Sequence, residues 1–284
     1  MDPGQDCRKT VFRKQMYMKR KLLAMDLDGT AVADDYSLSP SAIAAIEEAR
    51  RHGLRTAFVS GRRDVDMLTL GEEQWCVDYH ILNNGGKIIR CEDRKILRNE
   101  CIDRETSVRL IRYALENDLQ LHIVSGMLWQ VTKISESTLR YASLLGVIPE
   151  TVSSLAEIDT EAIEGFMATG DLQPIAEFID RELPELCYLH SEPGTIDIMK
   201  QGVSKWNGIR ALAELLGIGE NETAAAGNYY NDLDMIERAG LGIAVANAVT
   251  PVKEAAGYVT TEDNNHEGVK EMIGYILREV EENE

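Results

Sequence analysis

The chain predicts an α/β protein: a Rossmann-like core with a parallel sheet, into which an α+β cap domain is inserted. Three observations predict it. Short apolar runs alternate with helical periods from Lys21 to Leu82. The same alternation resumes at Thr195 and runs to the C-terminus. Between the two blocks lies a stretch of hairpins and helices with a different rhythm.

Lys21–Met25 is a short apolar run ending in acids, which reads as a buried strand. Ser39-Pro40 is a helix start, with serine at the cap and proline in the first turn. Ile43, Ile46 and Ala49 then share a face, and Gly53 stops the helix. Arg55–Val59 is the next strand, Asp64–Leu70 a short helix and Tyr79–Leu82 a further strand. After Asn83-Asn84-Gly85-Gly86, Lys87–Arg90 and Lys95–Arg98 form a hairpin around Glu92-Asp93. A helix follows near Asp103–Asn117, then strands near Leu119–Val124 and Leu128–Lys133, and a helix near Glu136–Leu145. Ile163–Ala168 and Leu186–His190 are strands flanking a helix near Asp171–Glu182. From Thr195–Met199 on, helices are expected near Ser204–Leu216, Asp232–Ala239, Thr250–Ala256 and His266–Glu282. The strands among them are Thr223–Ala226 and Leu241–Val245. The expected organisation is a disordered basic extension over 1–19, a core over 20–86 and 194–284, and a cap over 87–193. Met16 or Met18 would serve equally as a true start.

Composition narrows the function. The 284 residues are 44% apolar, enough for a sizeable core. Lys plus Arg number 30 against 48 Asp plus Glu, a formal charge of -18, which argues against nucleic acid or an anionic membrane as partner. No apolar run reaches the length of a membrane helix, and the N-terminus has no apolar stretch suited to a signal peptide. The five cysteines form no CxxC pair. They fit reduced thiols in the cytoplasm rather than a disulfide framework or a zinc site. Oligomeric state is not encoded in any pattern of this sequence.

Ligands of such sheets bind at the carboxyl ends of the strands, and four of those ends carry unusual residues. The first is Asp26-Leu27-Asp28-Gly29-Thr30. Two carboxylates two residues apart converge on one site, one suited to attack phosphorus and the other to move protons. Read blandly, it is an Asp-rich turn capping a helix. The second is Ser60-Gly61-Arg62, whose hydroxyl and backbone N–H can hold a phosphate oxygen, although Ser-Gly is also a common turn. The third is Lys205, which opens a helix and can neutralise a nucleophile and a phosphoryl group; alone it reads as solvated surface. The fourth is Gly227-Asn228-Tyr229-Tyr230-Asn231-Asp232, whose oxygen-bearing side chains suit a hard cation.

In this order, the four resemble the motifs of the haloacid-dehalogenase superfamily, and within it the Cof-like phosphatases of the IIB type. The resemblance spans about residues 20–284. It implies Asp26 as nucleophile, Asp28 as general acid and base, and Lys205 as the electrostatic lysine. It implies phosphate binding by Ser60, Gly61, Arg62, Asn84 and Asn231, and Mg2+ held by Asp26, Asp28, Asn228 and Asp232. Asn84-Gly85, Val245-Ala246-Asn247-Ala248 and Glu267-Gly268-Val269 resemble further family segments, and Ala31–Ser37 would be a hairpin flap. The implied function is Mg2+-dependent hydrolysis of a small phosphorylated metabolite, a sugar phosphate or a phosphorylated cofactor such as pyridoxal phosphate. The route is an aspartyl-phosphate, with the cap closing over the site. A phosphomutase is the alternative within the same family. A membrane pump is excluded by the missing spans, and Asp28 argues against a dehalogenase.

The chain departs from the family pattern at Asn228, where an aspartate usually begins the fourth motif. Asparagine keeps an oxygen but not the charge, so weaker Mg2+ binding is expected. Asn228 is then a tolerated ligand, the mark of a weak or lost activity in a phosphate-binding protein, or an altered residue. Trp206, following Lys205, either narrows the pocket or packs under the helix. His52 and His266 read as surface residues. His80 lies near a core strand, and His122, His190, Trp129 and Tyr188 on the cap are weaker candidates for substrate contact.

Overall fold

The computed structural model describes Tyr17–Glu281. In chain order the core opens with β1 (Tyr17–Met18), β2 (Leu22–Asp26), α1 (Pro40–Arg51), β3 (Arg55–Val59), β4 (Tyr79–Leu82), β5 (Lys87–Arg90) and β6 (Lys95–Asn99). Next come α2 (Arg104–Glu116), β7 (Gln120–Ser125), β8 (Leu128–Val131), α3 (Glu136–Leu145), β9 (Glu150–Thr151), β10 (Gly165–Thr169), α4 (Gln173–Glu182), β11 (Leu186–Glu192) and β12 (Thr195–Lys200). The chain closes with α5 (Lys205–Leu216), β13 (Thr223–Gly227), α6 (Leu233–Arg238), β14 (Leu241–Ala244), α7 (Thr250–Ala255), β15 (Tyr258–Val259), α8 (Gly268–Arg278) and β16 (Val280–Glu281).

An eight-stranded sheet runs in the order β15-β14-β13-β2-β3-β4-β5-β6. Its strands from β15 to β4 are parallel, and β5 and β6 are antiparallel additions. All five residues of β2 are buried, as a strand covered by helices on both faces requires. Helix α1 starts where Ser39 accepts a hydrogen bond from the Ala42 N–H at 3.1 Å, and it buries Ala42, Ala45, Ile46 and Ala49. Register places Asp26 beside Val59 and Met25 beside Ala226, so the carboxyl ends of β3, β2 and β13 lie side by side. The strand order reverses at β2, which makes this edge the crevice of the sheet.

A second sheet of six strands, β11-β12-β10-β7-β8-β9, has its own core of Leu110, Ile123, Phe166, Ile179, Ile196 and neighbouring residues. It corrects both boundaries of the expected cap. The Lys87–Asn99 hairpin belongs to the large sheet, because β5 folds back on β4 with Leu82 opposite Lys87. Thr195–Lys200 belongs to the small sheet, because the Pro193-Gly194 turn, with Gly194 at φ 77, folds β12 back onto β11. Local alternation does not reveal which sheet a strand joins; pairing does. The two crossings are tied by an ion pair of 2.8 Å between Lys200 and Glu100.

Other expectations shift in detail. The Asp64–Leu70 helix is a 3-10 segment over Val65–Cys76, kinked at Gly71. The Ala31–Ser37 flap is a pair of tight turns rather than two strands, closed by the Ala33 N–H donating to the Ser37 carbonyl. Of the expected basic tail, residues 1–16 lie outside the described residues, while Tyr17–Met18 pairs with Val280–Glu281. Cys76, Cys91, Cys101 and Cys187 are free thiols. Among the described residues no helix is long and apolar enough to cross a membrane.

Candidate active site

The strand ends meet in a cavity of about 400 Å³ under the small sheet. Asp26, Asp28, Ser60, Lys205, Asn228 and Asn231 line it, together with Gly61 and Arg62. Asp26 is the last residue of β2 and 5% exposed, and Lys205 opens α5 and is 3% exposed. Lys205 Nζ donates to Asp26 Oδ1 at 2.7 Å and to Asp232 Oδ1 at 2.6 Å. Burial, with help from Asp232, pushes the Asp26 carboxyl up to about 7, although Lys205 pulls it down. Burial also opposes the charge on Lys205, but Asp232 and Asp26 outweigh it and hold the amine above the ordinary lysine range.

Asp28 faces the same cavity with a half-exposed side chain, gripped by Arg62 through Nε at 2.9 Å and Nη2 at 2.6 Å. This bidentate pair fixes the direction of the Asp28 oxygens. Arg62 also lies 5.7 Å from the centre of the Tyr36 ring on the turn after the first motif. The Ser60 Oγ accepts from the Arg62 backbone N–H at 3.1 Å, which leaves its own proton to donate into the cavity. Gly29, at φ +75, admits the Asn228 amide where a Cβ would stand, so the first and fourth motifs touch. Asn247 locks the same turn by donating to the Gly29 carbonyl at 2.8 Å.

Two expected site residues are held by protein partners. Asp232, expected as a metal ligand, is wholly buried and stands behind the side chains that line the cavity. One oxygen holds Lys205, and the other accepts from the backbone N–H groups of Asn228 at 2.8 Å and Tyr229 at 3.0 Å. It shapes the fourth-motif turn and fixes the lysine. Asn84 lines a second, larger cavity beside the first; its side chain lies against Gly61 of the second motif, and its Nδ2 donates to Asp197 of the small sheet at 3.1 Å.

Among the described residues no three His, Cys, Asp or Glu side chains converge closely enough to hold a metal ion. The donors that face the cavity are the carboxylates of Asp26 and Asp28 and the amide of Asn228, all oxygen-bearing. This donor set fits a hard divalent cation, held with one carboxylate fewer than three.

The sequence reading missed contacts that join the two sheets. Lys87 Nζ holds Glu164 at 2.8 Å and Asp64 at 2.9 Å, and Asn83 donates to the same glutamate at 2.8 Å. The Arg63 guanidinium pairs with Asp66 at 2.6 Å and lies 4.9 Å from the centre of the Trp129 ring. Pairwise sequence spacing carries no signal for these contacts. Trp206 is settled as a core residue: it is 3% exposed and packs in the large hydrophobic cluster. His80 stacks on Trp75 at 4.9 Å and is buried, while His52, His190 and His266 are exposed. His122 lines the larger cavity, accepts from Trp129 Nε1 at 2.9 Å, and is held down to about 3 by burial and Arg63.

A parallel α/β sheet with paired carboxylates and a buried lysine at a cavity in its crevice defines a phosphoryl-transfer hydrolase. The model of the haloacid dehalogenase-like hydrolase family matches residues 23–273, and the chain belongs to that family. It is 28% identical over 260 residues to the 5-amino-6-(5-phospho-D-ribitylamino)uracil phosphatase YcsE of Bacillus subtilis, covering 89% of this chain and 94% of that one. It is 26% identical over 271 residues to the pyridoxal phosphate phosphatase YbhA of Escherichia coli, covering 90% and 98%. A solved haloacid dehalogenase-like hydrolase from Bacteroides thetaiotaomicron has the same fold, with a TM-score of 0.81, 28% identity, and coverage of 91% and 100%.

Proposed function

We propose that the chain is a Mg2+-dependent phosphatase of a small phosphorylated metabolite, a sugar phosphate or a phosphorylated cofactor, in the cytoplasm. One observation carries this reading. The buried Asp26 is held by Lys205 through one oxygen, while Asp28 stands two residues away on the same cavity. The names of the relatives, which are phosphatases of a ribitylaminouracil phosphate and of pyridoxal phosphate, support the substrate class.

In this reading Asp26 attacks phosphorus with the oxygen that Lys205 leaves free, and an aspartyl-phosphate forms as the ester oxygen departs. Asp28 gives that oxygen a proton and then takes one from the water that cleaves the acyl phosphate. A bound phosphate dianion competes with Asp28 for Arg62, freeing the Asp28 oxygens to reach the ester oxygen. Ser60 Oγ–H and Asn231 face the phosphoryl oxygens, and Lys205 neutralises the charge that builds on them. Asp26, Asp28 and Asn228 would hold Mg2+, which supplies positive charge to the phosphoryl oxygens.

The test is hydrolysis of para-nitrophenyl phosphate with and without Mg2+, by wild type and Asp26→Asn. Mg2+-dependent turnover that the variant loses is expected. Turnover that survives in Asp26→Asn, or that ignores Mg2+ and chelator, overturns the reading.

A further inference from the structure

We propose that Arg63 is a positioning residue that couples docking of the cap to the proton donor: seated in an aromatic slot of the cap, it sets Arg62, and through Arg62 the direction of Asp28. The proposal rests on the phosphatase reading above, in which Asp28 protonates the departing ester oxygen.

The two arginines are neighbours in sequence and reach different domains. Arg62 holds Asp28 through Nε at 2.9 Å and Nη2 at 2.6 Å. Arg63 is buried, and its guanidinium lies 4.9 Å from the centre of the Trp129 ring on β8 and 5.9 Å from that of Tyr141 on α3. The cap builds this slot from its own residues. Trp129 Nε1 donates to His122 at 2.9 Å, and the Tyr141 ring meets Trp129 edge to face at 5.9 Å. Val65, two residues after Arg63, enters the same place and is buried among Trp129, Val131, Ala142 and Leu145. The segment that directly follows Arg62 is thus a seat for the cap.

Asp66 joins the two arginines. Its carboxylate accepts from the Arg63 backbone N–H at 2.9 Å, from Nε at 2.8 Å and from Nη2 at 2.6 Å. Its backbone carbonyl accepts from Arg62 Nη1 at 3.4 Å, and Thr69 Oγ1 accepts from the same Nη1 at 2.7 Å. A desolvated guanidinium gains more from aromatic faces than an exposed one, so this pose of Arg63 belongs to the docked cap. With the cap lifted, water reaches Arg63 and the Asp66 turn loses its wall. Trp129 is therefore linked to Asp28 by contacts through Arg63, Asp66 and Arg62 in turn. In the docked state Arg62 stands where it directs Asp28 and then meets the phosphate. Displaced, it does neither, and the ester oxygen loses its aligned donor. Arg63 also borders the larger cavity, where a direct contact with bound ester would change kcat/KM alike for esters of similar size.

The experiment compares kcat/KM for phenyl phosphate and para-nitrophenyl phosphate, two esters of similar size whose leaving groups differ in basicity. Phenolate leaves poorly without a proton, whereas para-nitrophenolate leaves readily, so the ratio of the two reads protonation by Asp28. Both values come from one sample, so the ratio is independent of the fraction folded. Arg63→Met is expected to lower kcat/KM for phenyl phosphate roughly tenfold more than for para-nitrophenyl phosphate. Trp129→Leu is expected to shift the ratio the same way, and Tyr141→Leu takes its place if that variant fails to fold. An unchanged ratio in Arg63→Met overturns the proposal, since a residue that only supports the fold or touches substrate lowers both rates alike. A wild type that hydrolyses para-nitrophenyl phosphate but not phenyl phosphate overturns it too. A ratio that moves in Arg63→Met but not in the cap variant overturns the coupling to the cap. Failure of wild type to turn over either ester overturns the phosphatase reading instead.

Discussion

Replacing Lys205 by methionine tests the electrostatics of the site. The amine is buried and bridges two carboxylates at 2.7 and 2.6 Å. Each pair carries about 6 kcal/mol of attraction at an effective dielectric constant near 20, and desolvation of the three charges cancels much of it. The variant feels the cost of leaving two buried carboxylates without their cation, about 3–5 kcal/mol. At about 2–4 °C per kcal/mol for a core of this size, Tm should fall by about 6–20 °C in metal-free protein at pH 8. The sign with pH follows from Asp26. Its carboxyl is already raised to about 7 by burial and Asp232, and losing Lys205 raises it further. The folded state then binds more protons than the unfolded one, so stability falls as pH rises through that range. The Tm deficit should therefore shrink between pH 8 and pH 5. Thermal melts followed by circular dichroism at both values, with chelator present, read the effect. An equal deficit at both pH values, or none, refutes the argument. Turnover should fall by at least roughly 10²–10³ in kcat, because the lost charge faces the transition state.

Asn228→Asp restores a carboxylate beside Asp26 and Asp28, so the Mg2+ concentration for half-maximal activity should fall on the order of tenfold; an unchanged titration midpoint counts against Asn228 as a ligand. Gly85→Ala should cost roughly 1–3 kcal/mol in urea denaturation, because Gly85 is at φ +105 and a Cβ would overlap the Ser204 carbonyl oxygen that precedes Lys205. Wild-type stability in that variant would show that the turn yields freely. His122 is held down to about 3, so the stability that depends on its neutral ring is present above about pH 6.5 and is lost as pH falls toward 3. His122→Gln should flatten that acid limb, with the Trp129 fluorescence transition as the reporter, and an identical slope in the variant would refute the assignment.

That Asp26, Asp28, Ser60, Lys205 and Asn228 share one cavity was legible in the sequence because most of them terminate a strand or open a helix. Asp26, Ser60 and Asn228 follow three apolar runs, and parallel pairing of those runs aligns their ends. Lys205 was legible as the first residue after a capping serine, whose Oγ accepts from the Asn207 N–H. For Asp232 the motif gave proximity and not direction; the turn it stabilises points its oxygens at backbone N–H groups and at Lys205. Thr195–Met199 read as the return to the core, since a strand before a helix looks the same in either sheet.

What the sequence determined by itself is therefore the local chemistry: the alternating elements, the residues at their ends, and the family those residues mark. Tertiary structure alone decided which sheet each strand joined, where the cap begins, that Trp206 is core, and that Asp197 lines both cavities. The reason is physical. Hydrophobic period and turn residues act over a few positions, whereas strand pairing and contacts such as Lys87 with Glu164 or Asn84 with Asp197 join residues 77 and 113 positions apart. They exist only once the two cores have formed and docked.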